Sequence, residues 1–194
     1  RVIEEMSWTH ILVGTSGLVL SLWMGWGVYL ITTTARPLHE VVKHLSADVE
    51  IRQYQDQTWI SAAHTSDDAS FMVLASYIFG RNKQEQQVAM TAPVITDEKM
   101  SFILPEGLTP ELAPTPEGQA IDFNKVPART LATIQFSWWT TPDRVETKNK
   151  ALLDVLAANG IQTQGRAFLM RYNDPWTPPF MRRNEVAIEV VLSD

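Results

Sequence analysis

Two apolar stretches and a pair of arginines carry the side chains of this sequence best suited to holding a ligand. The first stretch, Ala69–Phe79, reads ASFMVLASYIF. Apolar residues occupy nearly every position, so a helix here needs cover on two faces. One face suits a sheet. The other, with Phe71, Met72, Ala75, Ile78 and Phe79, either lines a groove for a flat apolar ligand or packs as ordinary core, the commoner fate of Met and aromatic stripes. The second stretch, Tyr172–Asn184, reads YNDPWTPPFMRRN. Three prolines stiffen it, while Trp176, Phe180 and Met181 make it apolar. Loops are normally polar, so a rigid apolar loop suggests that something lies against it. Arg182 and Arg183 can grip carboxylates in bidentate fashion. One of them is equally suited to pairing with Glu185 for structure.

Metal and covalent chemistry are thinly represented. The histidines are His10, His39, His44 and His64. His64 is placed in the folded region, where it is either a surface residue at a strand end or a metal ligand. The absence of cysteine excludes disulfides, thiolate metal sites and cysteine nucleophiles. There is no G-x-S-x-G, no Gly-rich phosphate loop and no H-E-x-x-H, so no catalytic set is expected. A net charge of -6 offers no overall field for gathering nucleic acid.

Periodicity predicts the elements that position these groups. Val49–Tyr54 (VEIRQY) alternates apolar and polar residues as a half-buried strand does. Thr58–His64 reads as its hairpin partner. Asp67 or Asp68 caps the helix Ala69–Phe79, and Gly80 ends it. Val88–Ile95 and Met100–Leu104 follow as strands. The order then repeats. Ile121–Lys125 and Thr130–Phe136 flank the turn Val126–Arg129, a helix runs from Pro142 to about Ala158, and Arg166–Tyr172 and Glu185–Leu192 are strands. Two tandem β-β-α-β-β units predict an α+β domain with pseudo-two-fold symmetry. Its strands form one curved antiparallel system with two main helices against it. Pro105–Gly118, with four prolines, reads as a loop between halves that are each too short to bury a core alone.

Ahead of this domain, Ile11–Ile31 is a run of 21 residues without a formal charge. As a helix it would cover about 30 Å, the thickness of a bilayer core. Trp23, Trp26 and Tyr29 lie toward its end, where such rings favour the headgroup zone. A cleaved signal peptide fits less well, because the tip carries Glu4 and Glu5, the core is long and no small-residue cleavage site follows. The expected order is therefore a tail (1–10), a single transmembrane helix (11–32), a connector with a possible short helix (33–47) and the domain (48–194). Gly17, Ser21 and Gly25 share one helix face. That spacing suits close packing against other transmembrane helices of a membrane complex, or it reflects the frequency of glycine in such helices. Arg36 and Lys43 against Arg1 lean slightly toward a cytoplasmic domain.

The stretches VEIRQY, YIFGRN (Tyr77–Asn82), VAMTAPV (Val88–Val94) and YNDPWTPPFMRRNEV (Tyr172–Val186) together resemble the SOUL/heme-binding-protein family. The resemblance covers about residues 48–192. It implies a distorted antiparallel β-barrel with two helices and a module that binds or delivers heme or another tetrapyrrole. The implied groove lies between Phe71, Met72, Ala75, Ile78 and Phe79 on one side and Trp176, Pro178, Phe180 and Met181 on the other. Arg182 is placed to meet a propionate, and His64 is a possible iron ligand. Phe71, Ala75 and Pro178 stand where family members carry groove methionines and a loop lysine. Family members in bacteria are commonly exported, which implies an inner-membrane protein with its domain on the periplasmic side, against the charge bias. The competing expectation is a structural accessory subunit of a membrane complex, without heme.

Overall fold

In the strand Val49–Tyr54, alternate residues turn to opposite faces, and Val49 and Ile51 are buried on one of them. The same rule builds most of the protein. The computed structural model describes residues 18–19, 21–29, 34–63, 66–118 and 121–192. A helical segment α1 (residues 21–29) precedes strands β1 (His39–His44), β2 (Val49–Tyr54) and β3 (Gln57–Ala62). Helix α2 (Asp67–Ile78) leads to β4 (Val94–Thr96), β5 (Met100–Ile103), β6 (Asp122–Val126) and β7 (Arg129–Phe136). Helix α3 (Pro142–Ala158), β8 (Gln162–Arg171), a 3-10 turn (Pro179–Met181) and β9 (Asn184–Val191) complete the chain.

Local chemistry sets the helix ends. Ser66 Oγ accepts the Ala69 N–H at 3.2 Å, with Asp67 and Asp68 in the first turn of α2. Gly80 then takes φ +104°, which a residue with a Cβ rarely adopts. α3 begins on Pro142, where a missing N–H costs nothing. Its Leu152 and Leu156, one turn apart, are fully buried against β2, β7 and β9. Each contributes about 1.5–3 kcal/mol of burial. α2 packs on β3 and β5 in a second cluster around Ile60, Leu74, Tyr77 and Phe102.

The strands join in the order β1-β2-β7-β9-β8-β4-β5-β3-β6, every pair antiparallel. Read from the β8–β4 pair outward, β9, β7 and β2 match β5, β3 and β6. That is the expected pseudo-two-fold, with α3 matching α2. Two expectations are corrected. The sheet is not a closed barrel: β1 and β6 are its two edges, and both are largely exposed. Nor do β2 and β3 form a hairpin. β2 pairs with β7, and β3 with β6, so each half lends one strand to the other. Gln55-Asp56 supplies no residue with positive φ, which a two-residue hairpin requires, so the chain crosses over.

Other boundaries shift. Residues 39–44 form an edge strand on β2 rather than a short helix, and of the expected strand Val88–Ile95 only the end joins the sheet, as β4, while Thr91 makes an isolated bridge with Ala35. Among the described residues, no helix is long and apolar enough to cross a membrane. Residues 1–17, 20 and 30–33, and so much of the expected span 11–32 together with Gly17, lie outside the described residues. α1 nonetheless touches the domain. Trp23 Nε1 donates to the Trp176 carbonyl at 2.7 Å, and Gly27 is buried so close to Pro178 that a Cβ there would sit 3.2 Å from Pro178 Cδ.

Candidate functional site

On the face of the sheet turned away from α3, alternation brings Arg52, Tyr54, Thr133 and Glu185 together, while Ile51, Ile134 and Val186 face the helix. Glu185 is fully buried. Arg52 donates Nη1 and Nη2 to its two oxygens at 2.7 and 3.0 Å, Arg183 donates Nε at 2.8 Å, and the Tyr172 hydroxyl donates at 2.8 Å. Burial alone would raise the Glu185 carboxyl. The hydrogen bond and charge of Arg52, with the charge of Arg183, outweigh burial and hold it below the ordinary carboxylate range. Burial and the adjacent Glu185 charge push the Tyr172 hydroxyl well up, so it stays a donor. Arg52 also gives Nε to Glu50 at 2.7 Å, so two cations meet two carboxylates in one network. The Arg183–Glu185 pairing was the structural alternative read from the sequence. Arg52 was not foreseen; the only signal was a charge at a buried register position of VEIRQY.

This network reaches the start of β1 and the segment ahead of it. The His39 and Tyr54 rings lie 4.9 Å apart, and the Arg36 guanidinium sits 5.5 Å from the centre of the Tyr172 ring. Residues 35–38 are one wall of a cavity of about 600 Å³, a size suited to a small molecule or cofactor. The other walls are residues 55–58, Thr91, residues 103–109 and residues 125–127. Hydrogen bonds fix them. The Ala92 N–H donates to the Ala35 carbonyl and the Leu104 N–H to the Thr58 carbonyl, each at 2.8 Å. The Ala128 N–H donates to Asp56 at 2.6 Å, and the Thr91 hydroxyl to the Ile103 carbonyl. Pro37, Leu38, Ile103, Leu104, Leu108 and Val126 make the lining largely apolar, with Arg36 and Lys125 as its cations and Asp56 and Glu106 as its acids. Lys125 Nζ bonds Glu111 at 2.8 Å and draws that carboxyl down to about 2. Nothing in the sequence marked this cavity, because its walls come from five stretches far apart in the chain.

The residues read as a groove fall into three groups. Ala75 and Ile78 are buried in the α2 core, and Phe71 packs edge-on against Phe102 with ring centres 5.4 Å apart. Met72 and Phe79 point outward, 65% and 67% exposed. Trp176 and Phe180 are exposed, whereas Pro178 and Met181 lie against Gly27 of α1. Arg182 gives Nε to the Thr177 carbonyl at 2.9 Å and Nη2 to the Pro175 carbonyl at 2.6 Å, and stacks 4.7 Å over the Trp139 ring. The loop is thus braced by its own arginine and met by α1. His64 lies outside the described residues. Among the described residues, no group of three His, Asp or Glu side chains could hold a metal ion.

Fold and site together define an α+β domain of pseudo-two-fold symmetry with an apolar cavity carrying two cations. The sequence pattern of SOUL heme-binding protein matches residues 34–189, and the chain belongs to that family. The match begins at residue 34 and so includes the cavity wall 35–38 and strand β1. No curated protein matches the sequence. Similar solved structures include the EcmrR C-terminal domain, with 13% identity and a TM-score of 0.52 over 79% of this chain and 98% of that one. EcmrR in its complex with DNA has 13% identity and a TM-score of 0.53 over 73% and 56%. An uncharacterized conserved protein from Listeria innocua has 7% identity and a TM-score of 0.51 over 74% and 92%. At such identities the likeness is one of fold alone.

Proposed function

We propose that the chain binds heme or a related tetrapyrrole and holds or delivers it, without catalysis, from a bilayer to which its N-terminal run tethers it. Membership of the heme-binding family supports the ligand class. The observation that carries the reading is the cavity of about 600 Å³. Its residues fit such a group. Pro37, Leu38, Leu108 and Val126 offer apolar surface to a flat macrocycle, and Arg36 and Lys125 offer charge to its carboxylate arms. When bound, the group supplies a redox-active or light-absorbing centre. The chain's own part is to exclude water from one face and to neutralise the carboxylates. The 21-residue uncharged run supports the tether.

Hemin titration of the full-length chain, followed at the Soret band, tests this. Val126→Asp or Leu108→Asp is expected to weaken binding at least about tenfold, the cost of about 1.4 kcal/mol. Phe79→Asp, on the exposed face of α2, is expected to leave it unchanged. The reverse pattern moves the site to the face of Met72 and Phe79 and the loop of Trp176 and Phe180. No saturable binding at all sinks the reading. A second reading, an accessory subunit docked through its helix, draws on Gly25. That residue is exposed, with open space where a Cβ would stand.

A further inference from the structure

We infer that β1 is a docking edge for a second copy of this chain, joined antiparallel about a two-fold axis between Val41 and Val42. β1 ends the sheet, so only one of its sides is paired, with β2, and all six of its residues are exposed. An open edge offers backbone donors and acceptors to another strand. The sequence of this one, HEVVKH, reads the same from either end apart from an exchange of charge. In an antiparallel pair about that axis, each Glu40 meets the partner's Lys43, each Val41 the partner's Val42, and each His39 the partner's His44. Such self-complementarity is what a two-fold dimer requires of its surface.

Faces must match as well as charges, because residues opposite each other in an antiparallel pair share one face of the sheet. In a regular strand, residues 40 and 43 lie on opposite faces, and so do 39 and 44. A bulge in β1 removes that conflict. His39, Val41 and His44 stand against Tyr54, Arg52 and Glu50, on the face turned away from α3, whereas Glu40 and Lys43 stand against Gln53 and Ile51, on the α3 face. The register slips between Val41 and Lys43, so the extra residue falls beside the axis, and the order of faces is the same from either end. A bulge and a lysine ordinarily keep other chains off an edge. Here both copies bulge at the same point, and the lysine meets a carboxylate. Charge names the occupant. Among the described residues, the side chains of Glu40 and Lys43 have no ion pair or hydrogen bond within the chain. On the other edge, β6, Asp122 and Lys125 are already paired with Lys99 and Glu111.

Sedimentation velocity of the full-length chain in detergent micelles, over a rising concentration series, tests this pairing. The expected result is a shift from monomer to dimer. Lys43→Glu and Glu40→Lys, both at exposed positions, should each weaken the dimer by roughly tenfold or more, since two attractive pairs become two repulsive ones. An equimolar mixture of the two variants should restore the dimer, because every Glu then faces a Lys again. Monomer at every concentration overturns the inference. A dimer indifferent to both substitutions places the contact elsewhere, for instance on the uncharged run, and overturns β1 as the edge. Variants that stay apart when mixed overturn the register.

Discussion

Glu185 has no contact with solvent, yet it is ionised, because two guanidinium groups and a phenol face it. Removing one partner of a buried pair costs about 3–5 kcal/mol, since the other charge is left unpaired. Glu185→Gln is expected to lower unfolding stability by that order, as measured in urea by tryptophan fluorescence. The sign of its pH dependence follows from the lowered carboxyl. Its folded value lies below the unfolded one, about 4.3. Its contribution is therefore complete above the unfolded value and lost as pH falls through the folded one. Stability of the native sequence should fall in acid below about pH 4, whereas that of Glu185→Gln should change less there. At this scale the sequence disclosed half of the network. Arg183 and Glu185 are two residues apart and readable as a pair. Arg52 meets Glu185 across 133 positions, a contact that only the β2–β7–β9 register creates.

Among the elements, α1 and the Pro-rich loop depend on each other through one hydrogen bond and one glycine. Trp23→Phe removes the indole donor and should cost about 0.5–1.5 kcal/mol of local stability. Gly27→Leu would place a Cβ 3.2 Å from Pro178 and crowd it and Met181 apart. In either variant, hydrogen exchange is expected to quicken over residues 21–29 and 175–181 and to stay unchanged in β7–β9. Both main helices were legible, since Asp67-Asp68, Gly80 and Pro142 are local signals, although the cap is Ser66 and the two aspartates fall in the first turn. Strand partners were not. β2 and β3 are two residues apart in sequence, yet they pair with β7 and β6, because the choice of partner lies in the exchange between halves. β1 was missed because its six residues are all exposed and show no alternating burial. The groove was misjudged in part for a related reason. A helix with apolar residues all round does not say which face the sheet will take, and the sheet took Ala75 and Ile78.

At the scale of the whole molecule, the pseudo-two-fold puts two helices over one sheet, and the opposite face gathers a buried cluster that includes Tyr54, Ile95, Leu131, Met170 and Tyr172 beside the Glu185 network. The cavity opens where the linking turns of the two halves, 55–56 and 127–128, come together under residues 35–38. The wall 35–38 is held to the domain at the Ala35–Thr91 bridge and the Ala92–Ala35 hydrogen bond. A proline in place of Ala92 would delete that donor, and hemin affinity should fall while the α3 core stays folded by far-UV circular dichroism. The most direct test of tetrapyrrole binding at this cavity compares amide spectra of the full-length chain with paramagnetic hemin and with a diamagnetic zinc porphyrin. The account predicts selective broadening by hemin of residues 35–38, 103–109 and 125–127. Broadening confined to α2 and residues 176–181, or no broadening at stoichiometric hemin, would contradict it.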